Sequence, residues 1–403
     1  MGLQVELWKT PGYPVVFAQN LSAGPSRPTL LIYHHYDVQP VDPLELWHSE
    51  PFKPVIKNNQ VYARGAADNK GQCFYSLNAV RAFLALSKKL QINLKIFIEG
   101  EEESGGKGTT HILQEKKEAL KADHLLIVDL DIPAPGVPAI TLGLRGLTAL
   151  QVELKNSAMD LHSGSHGGIA LNPNRALAKL LAGMWDEEGK VTIPGFYEGL
   201  EKTSAEELGA LDLDFDPESY QRSFGVKAFA GEKGYSLLES NWLRPTLEIN
   251  GMSGGYAGEG FKTVIPAQAK AKISCRLVPG QDPEKIGDAI ARYFEKNAPK
   301  GIEIKIEKLH GAKAFRSSPL SPIAQTAAQA YEEVFGKKCK RLLSGASIPI
   351  VGDLARASGA DVALIGVGLP EDAIHSPNEH FGLDRFEQGF LVISRILGIL
   401  SAL

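Results

Sequence analysis

The chain has 403 residues, too long for one compact core, so about two or three domains are expected. Hydrophobic residues make up 43% and charged residues 22%, with a net charge of -4, which excludes extended disorder and gives no basic run to attract nucleic acid. The cysteines Cys73, Cys275 and Cys339 lie far apart and outside any CxxC pair, so neither a disulfide framework nor a thiolate zinc site is expected.

The opening residues, MGLQVELWKTPGYP, have no basic segment leading into an apolar stretch, so no signal peptide is expected. No window of about 18 apolar residues exists to span a membrane. The expected location is the cytoplasm and the expected partners are small polar molecules, with neither membrane nor nucleic acid among them.

Thr29 to His34 reads as a buried strand and runs into His35, Tyr36 and Asp37. Ligands of open α/β sheets bind at the carboxyl ends of strands. His35 and Asp37, two apart, suit a metal-binding imidazole with a carboxylate holding its ring, or else a local polar cluster. Next comes GAADNKG, one acid among small residues before a helical pattern over Lys70 to Lys88. Asp68 is there either an N-cap or a carboxylate bridging two metals.

Leu94 to Glu99 is a second strand, followed by the acids Glu101, Glu102 and Glu103 and by Ser104-Gly105-Gly106. Such a run is a solvated loop or, directly after an apolar strand, a cluster aimed at a metal. His124 to Val128 is a third strand and ends in Asp129. This rhythm predicts a mostly parallel sheet with flanking helices.

The middle third changes character. Strands are predicted at 147–154, 246–250, 268–278 and 302–309, with helices at 174–185 and 283–296, the latter opened by an Asp282-Pro283 cap. The order βαββαβ is ferredoxin-like, with about 187–243 as an insertion. The α/β rhythm then returns. A helix runs from Ser321-Pro322 to Phe335, a strand covers Val362 to Val367, His375 follows in a short loop, and Asp384 caps a last helix. The fold class is α/β, a mostly parallel-sheet domain (1–143 and 315–403) interrupted by a ferredoxin-like α+β domain (144–314).

Several segments together resemble the dinuclear metallopeptidase family that holds carnosinase, carboxypeptidase G, aminoacylase and succinyl-diaminopimelate desuccinylase. They are YHHYDVQP, WHSEPFKPVIKNNQVYARGAADNKG, EGEEESGG, LLIVD, TLGLRG, DLHSG, KTVIPAQAKAKISCRLVPG, GASIP and HSPNEH, in the family's order from Gly12 to His380. HYDVQP and DLHSG favour the dipeptidase branch. The resemblance implies a zinc-peptidase catalytic domain whose inserted domain is a lid and dimerisation module. It implies His35, Asp68, Glu103, Asp129 and His375 as ligands of two divalent ions, zinc or alternatively manganese, with Asp68 bridging. It makes Glu102 the general base, with the register of the acid run fixed by Ser104-Gly105, and it makes Asp37 the residue orienting His35.

His162 and Arg276 are implied as substrate contacts from the inserted domain. Thr263, Ala346 and Ser347 are implied near the C-terminal half of the substrate. A cis peptide between Asp68 and Asn69 and a homodimer through the lid are implied as well, with His162 acting in trans. The implied reaction is hydrolysis of a dipeptide amide. An N-acyl amino acid amidohydrolase shares the metal residues and is the alternative, and a non-catalytic metal-binding protein is the alternative of another class.

Three departures stand out. Asn69 replaces a frequent second aspartate. Ser344 stands where carnosinase-like members have a glutamate near the substrate amine. The opening GLQVELWKTPGYP resembles a point one strand into the family's usual fold. His34, His48, His166 and His380 receive no role.

Overall fold

A computed structural model describes residues 1–403 apart from 87–90, 210, 213, 230, 310 and 403. The apolar runs of the first third form the centre of a 9-stranded sheet. Asn93–Glu99, Thr29–His35, His124–Val128 and Asp361–Ile365 lie side by side and parallel. Both faces of such strands are covered, which is why their sequences are almost continuously apolar. Antiparallel strands complete the sheet. Val15–Asn20 and Gln4–Trp8 add to one edge, and Ala139–Leu144 lies beyond Asp361–Ile365, paired with Phe315–Arg316 and, in parallel, with Lys340–Ser344. The sheet is therefore mixed, parallel at its centre, with antiparallel pairs and one further parallel pair at its margins.

Helices Lys70–Leu86, Pro322–Phe335 and Leu383–Ala402 supply side chains to the core on one face. Lys107–Glu115 and Ile350–Ser358 supply them on the other. Residues 87 and 88, the last of the first predicted helix, lie outside the described residues.

A second, 4-stranded sheet runs in the order Thr246–Gly254, Gln268–Leu277, Gly146–Lys155, Glu303–Lys308, with every neighbour antiparallel. Numbered along the chain this is 2-3-1-4, the order of a ferredoxin-like sheet. Helices Pro173–Ala182 and Pro283–Asn297 bury Leu177, Leu180, Ile286, Ile290 and Phe294 against one face in a separate core. Asn172, Asp282 and Ser321 each accept a backbone N–H at a helix start, with proline next in sequence.

Several boundaries differ from expectation. The helix predicted over 174–185 stops at Ala182, where Gly183 ends it. The strand predicted over 246–250 continues to Gly254 through a bulge near Gly251. The strand from Asp361 ends at Ile365, because Gly366 packs directly on the Leu130 backbone. Asp384 sits inside the first turn of the last helix, which begins at Leu383, and so is not its cap. Among the described residues no helix is long and apolar enough to cross a membrane.

Candidate metal centre and active site

The carboxyl ends of the central strands meet the loops after Ala63 and Ala373. His35, the last residue of its strand, is buried. Its Nε2 lies 3.0 Å from Asp68 Oδ1 and 3.6 Å from Asp129 Oδ1. The other carboxylate oxygen of Asp68 is 2.9 Å from His375 Nε2, which is 3.4 Å from Glu103 Oε1. Two ligand-type triads result, His35–Asp68–Asp129 and Asp68–Glu103–His375, each with ligand atoms within 4.8 Å of one another. They share Asp68, one oxygen to each. The Asp68–Asn69 peptide is cis.

The charges on this cluster are unbalanced without cations. Burial and then the neighbouring Asp129, Glu103 and Asp68 push Glu102 well above the usual carboxylate range. Burial raises Asp129 to about 6. The neighbouring Asp68 and Glu103 carboxylates raise His375 to about 10. Glu103 Oε1 is buried, and its contact to His375 Nε2, at 3.4 Å, falls short of a well-formed hydrogen bond. A set of imidazole and carboxylate donors, short of positive charge and with a free buried oxygen, fits divalent cations.

The acidic turn sorts its side chains. Glu99 points inward and accepts hydrogen bonds from the Tyr33 and Thr109 hydroxyls. Glu101 turns towards Gly12 and Gly108, where an added Cβ would meet its carboxylate at 2.0 and 2.1 Å. Glu102 and Glu103 face a cleft of about 390 Å³ that also receives Asp68, Asp129 and His375. Asp37 does two jobs here. One oxygen lies 3.3 Å from His35 Nδ1, and the carboxylate accepts the backbone N–H groups of Glu102 and Glu103. His375 sits at φ 59°, in the left-handed region that a residue with a Cβ rarely adopts unless its surroundings hold it there.

Three supporting residues carry no role in the sequence reading. Glu379 is fully buried, and its carboxylate accepts the backbone N–H groups of Gly65, Ala67 and Asp68 together with the Arg64 guanidinium. It thereby ties the loop bearing Asp68 to the loop bearing His375. Asn69 donates to the Asp129 carboxylate and the Val128 carbonyl, and its Oδ1 meets His34 Nδ1 at 2.9 Å. An aspartate there would set like charge against Asp129. Arg145 donates to the Gly345 carbonyl and to Thr246 Oγ1, joining the 344–347 loop to the smaller sheet. The motif TLGLRG contained the only signal for Arg145.

The other expected site residues divide. Arg276, Ala346 and Ser347 line the cleft, with Arg276 Nη1 donating to Ser347 Oγ at 2.8 Å. His162 and Thr263 do not reach it. Both are exposed, His162 on a two-stranded ribbon, Leu161–His162 with Val264–Ile265, and Thr263 just before it, and His162 Nδ1 accepts the Gly164 N–H.

The model of peptidase family M20/M25/M40 matches residues 31–398. The chain belongs to this family. Among its M20 relatives, the Cys-Gly metallodipeptidase DUG1 of Candida albicans is 31% identical over 386 residues, covering 93% of this chain and 79% of the relative. The M20 family metallo-carboxypeptidase Sso-CP2 of Sulfolobus solfataricus superposes with TM-score 0.91 at 31% identity, covering 100% of this chain and 91% of that one. Human carnosine dipeptidase 1 gives TM-score 0.85 at 29% identity, over 100% and 88%. As an M20 member the chain is a peptidase, and the cleft lined by residues of both sheets is where the family's hydrolytic chemistry has its candidate residues.

Proposed function

We propose that the chain is a metal-dependent dipeptidase that cleaves a small amide with two divalent ions, zinc or manganese. His35, Asp68 and Asp129 hold one ion, and Asp68, Glu103 and His375 hold the other. The observation that carries this reading is the sharing of Asp68 between two ligand triads with Glu102 beside both. When bound, such ions lower the pKa of a water from about 15.7 towards 7 and polarise a carbonyl.

The protein's own groups do the rest. Glu102, facing the cleft beside the ligand residues, accepts the proton of the attacking water and returns it to the leaving amine. Asp37 keeps the His35 ring and the Glu102 backbone in place. Arg276 pairs with the carboxylate of the substrate, steadied by Ser347 and bordered by Ala346.

His162 and Thr263 complete the site from a second copy of the chain in this reading, with residues 144–314 as lid and dimerisation module. Three features support it. Thr246–Gly254 is an edge strand of the smaller sheet, its side chains Ile249 and Met252 are exposed, and Met159, Ile169 and Phe261 stand exposed on the loops near His162. Edge strands that carry apolar side chains are suited to pairing with their own copy. The cytoplasm is the proposed location, in keeping with three free cysteines.

The test is turnover of unblocked dipeptides. Activity should vanish with a chelator and return with Zn²⁺ or Mn²⁺, with two ions per chain by elemental analysis. Turnover that survives complete removal of metal would end the reading. A second reading is a carboxypeptidase or N-acyl amino acid amidohydrolase, favoured by the serine at position 344 and by the superposition on Sso-CP2. It keeps every ligand and differs only in whether the substrate needs a free amine.

A further inference from the structure

The carboxylate of Asp131 is not used by the metal centre or by the fold around it. Asp131 lies on the cleft wall, two residues beyond Asp129. Its backbone bridges to Gly368 in the large sheet, and Ile132 N donates to the Gly368 carbonyl at 2.8 Å. Among the described residues no donor forms a hydrogen bond to the Asp131 carboxylate. The one guanidinium near it, that of Arg385, is already held by both oxygens of Asp372. Gly368 makes room for the carboxylate, since a Cβ there would stand 2.0 Å from Asp131 Oδ1.

A partly buried carboxylate without a donor is costly unless a ligand completes it. The same cleft holds a cation. Arg276 comes from the smaller sheet and Asp131 from the larger one, with the metal-ligand cluster in the cleft they share. A dipeptide has the matching pattern, an ammonium and a carboxylate at its two ends, about 7 Å apart when extended.

We propose that Asp131 is a specificity-determining residue that binds the α-ammonium of the substrate, so that the cleft selects unblocked zwitterionic dipeptides. This rests on the dipeptidase reading above. Ser344, on the same cleft, brings no charge to this task, and Asp131 carries it from another strand end. Binding forms an ammonium–carboxylate pair and no covalent bond, leaving the amide chemistry at Glu102 untouched.

The experiment compares L-alanyl-L-alanine with N-propionyl-L-alanine, which has the same shape and scissile bond but no amine. The wild-type enzyme should prefer the dipeptide in kcat/KM. In Asp131→Asn that preference should fall about 10- to 100-fold, mostly through KM, with two metal ions still bound. Asp131→Glu should restore part of it, and Gly368→Ala, which crowds the carboxylate, should lower it.

A measurement on the unaltered enzyme covers the case in which the variants do not fold. As pH rises from about 8 to 10, beyond the amine pKa, the preference should decline, because the dipeptide loses its ammonium while its isostere does not. A preference that is unchanged in Asp131→Asn, or flat across that pH range, overturns the role of Asp131 and leaves the hydrolase reading standing. A wild-type enzyme that cleaves the isostere as well as the dipeptide does the same. Failure to cleave either substrate with metal bound overturns the dipeptidase reading itself.

Discussion

The large sheet and the four-stranded sheet both carry residues expected at the site, but they hold them differently. Those on the large sheet stand at strand ends and are fixed by the chain around them. His35 is braced by Asp37, Asp129 by Asn69, and the loop of Asp68 by four donors to one buried glutamate. On the smaller sheet, Arg276 touches Ser347, while His162 and Thr263 are exposed at a two-residue ribbon away from the cleft. Preorganised groups can act within one chain. Exposed groups on a ribbon need another surface to bring them to a substrate.

The largest effect should come from the preorganised side. Glu102→Gln removes the base while keeping its shape, and kcat should fall about 10²–10⁴-fold with both metals retained. An equal loss of metal would show instead that Glu102 is a ligand. The ribbon is tested next. His162→Ala should lower kcat about 10²–10³-fold. Mixing it with Glu102→Ala should restore activity to about a quarter of wild type after random subunit exchange, because half the dimers are mixed and each holds one complete site. No recovery after proven exchange would place His162 in the same category as the residues of the large sheet.

A smaller effect is expected behind the metal centre. Glu379→Gln removes the charge that gathers the Gly65, Ala67 and Asp68 N–H groups, and metal affinity should weaken about 10- to 100-fold in a chelator titration. Unchanged affinity would mean that Asp68 is positioned without this clamp. The smallest effect lies in the smaller sheet's own helix. Asp282→Ala deletes an N-cap that accepts the Glu284 and Lys285 N–H groups, costing about 1 kcal/mol of stability in denaturant titration while leaving metal affinity alone.

Much of the frame was legible in local chemistry. TLLIYH, LKIFIE and HLLIV are long enough and apolar enough to be central strands, and the caps at Asp282-Pro283 and Ser321-Pro322 mark their helices. The strand Ala139–Leu144 was not recognised, because AITLGL mixes threonine and glycine with its apolar residues. The edge strand Gln4–Trp8, exposed over four of its five residues, has no apolar run to announce it. Glu379 looked like one more acid in a loop. Its partners lie some 310 residues earlier, and no local pattern connects them.

Residue order alone fixes which side chains are available and where they fall along the chain. Imidazoles and carboxylates at the ends of apolar strands follow from residue type and local periodicity, which act over a few residues. Which of them meet depends on how the whole chain folds. The fold sets one oxygen of Asp68 towards His35 and the other towards His375, turns Glu101 away while admitting Glu102 and Glu103, and keeps His162 outside the cleft. The reason is geometric. Two atoms 3 Å apart across 307 residues are brought together by the packing of whole strands and helices, a property that no single segment possesses.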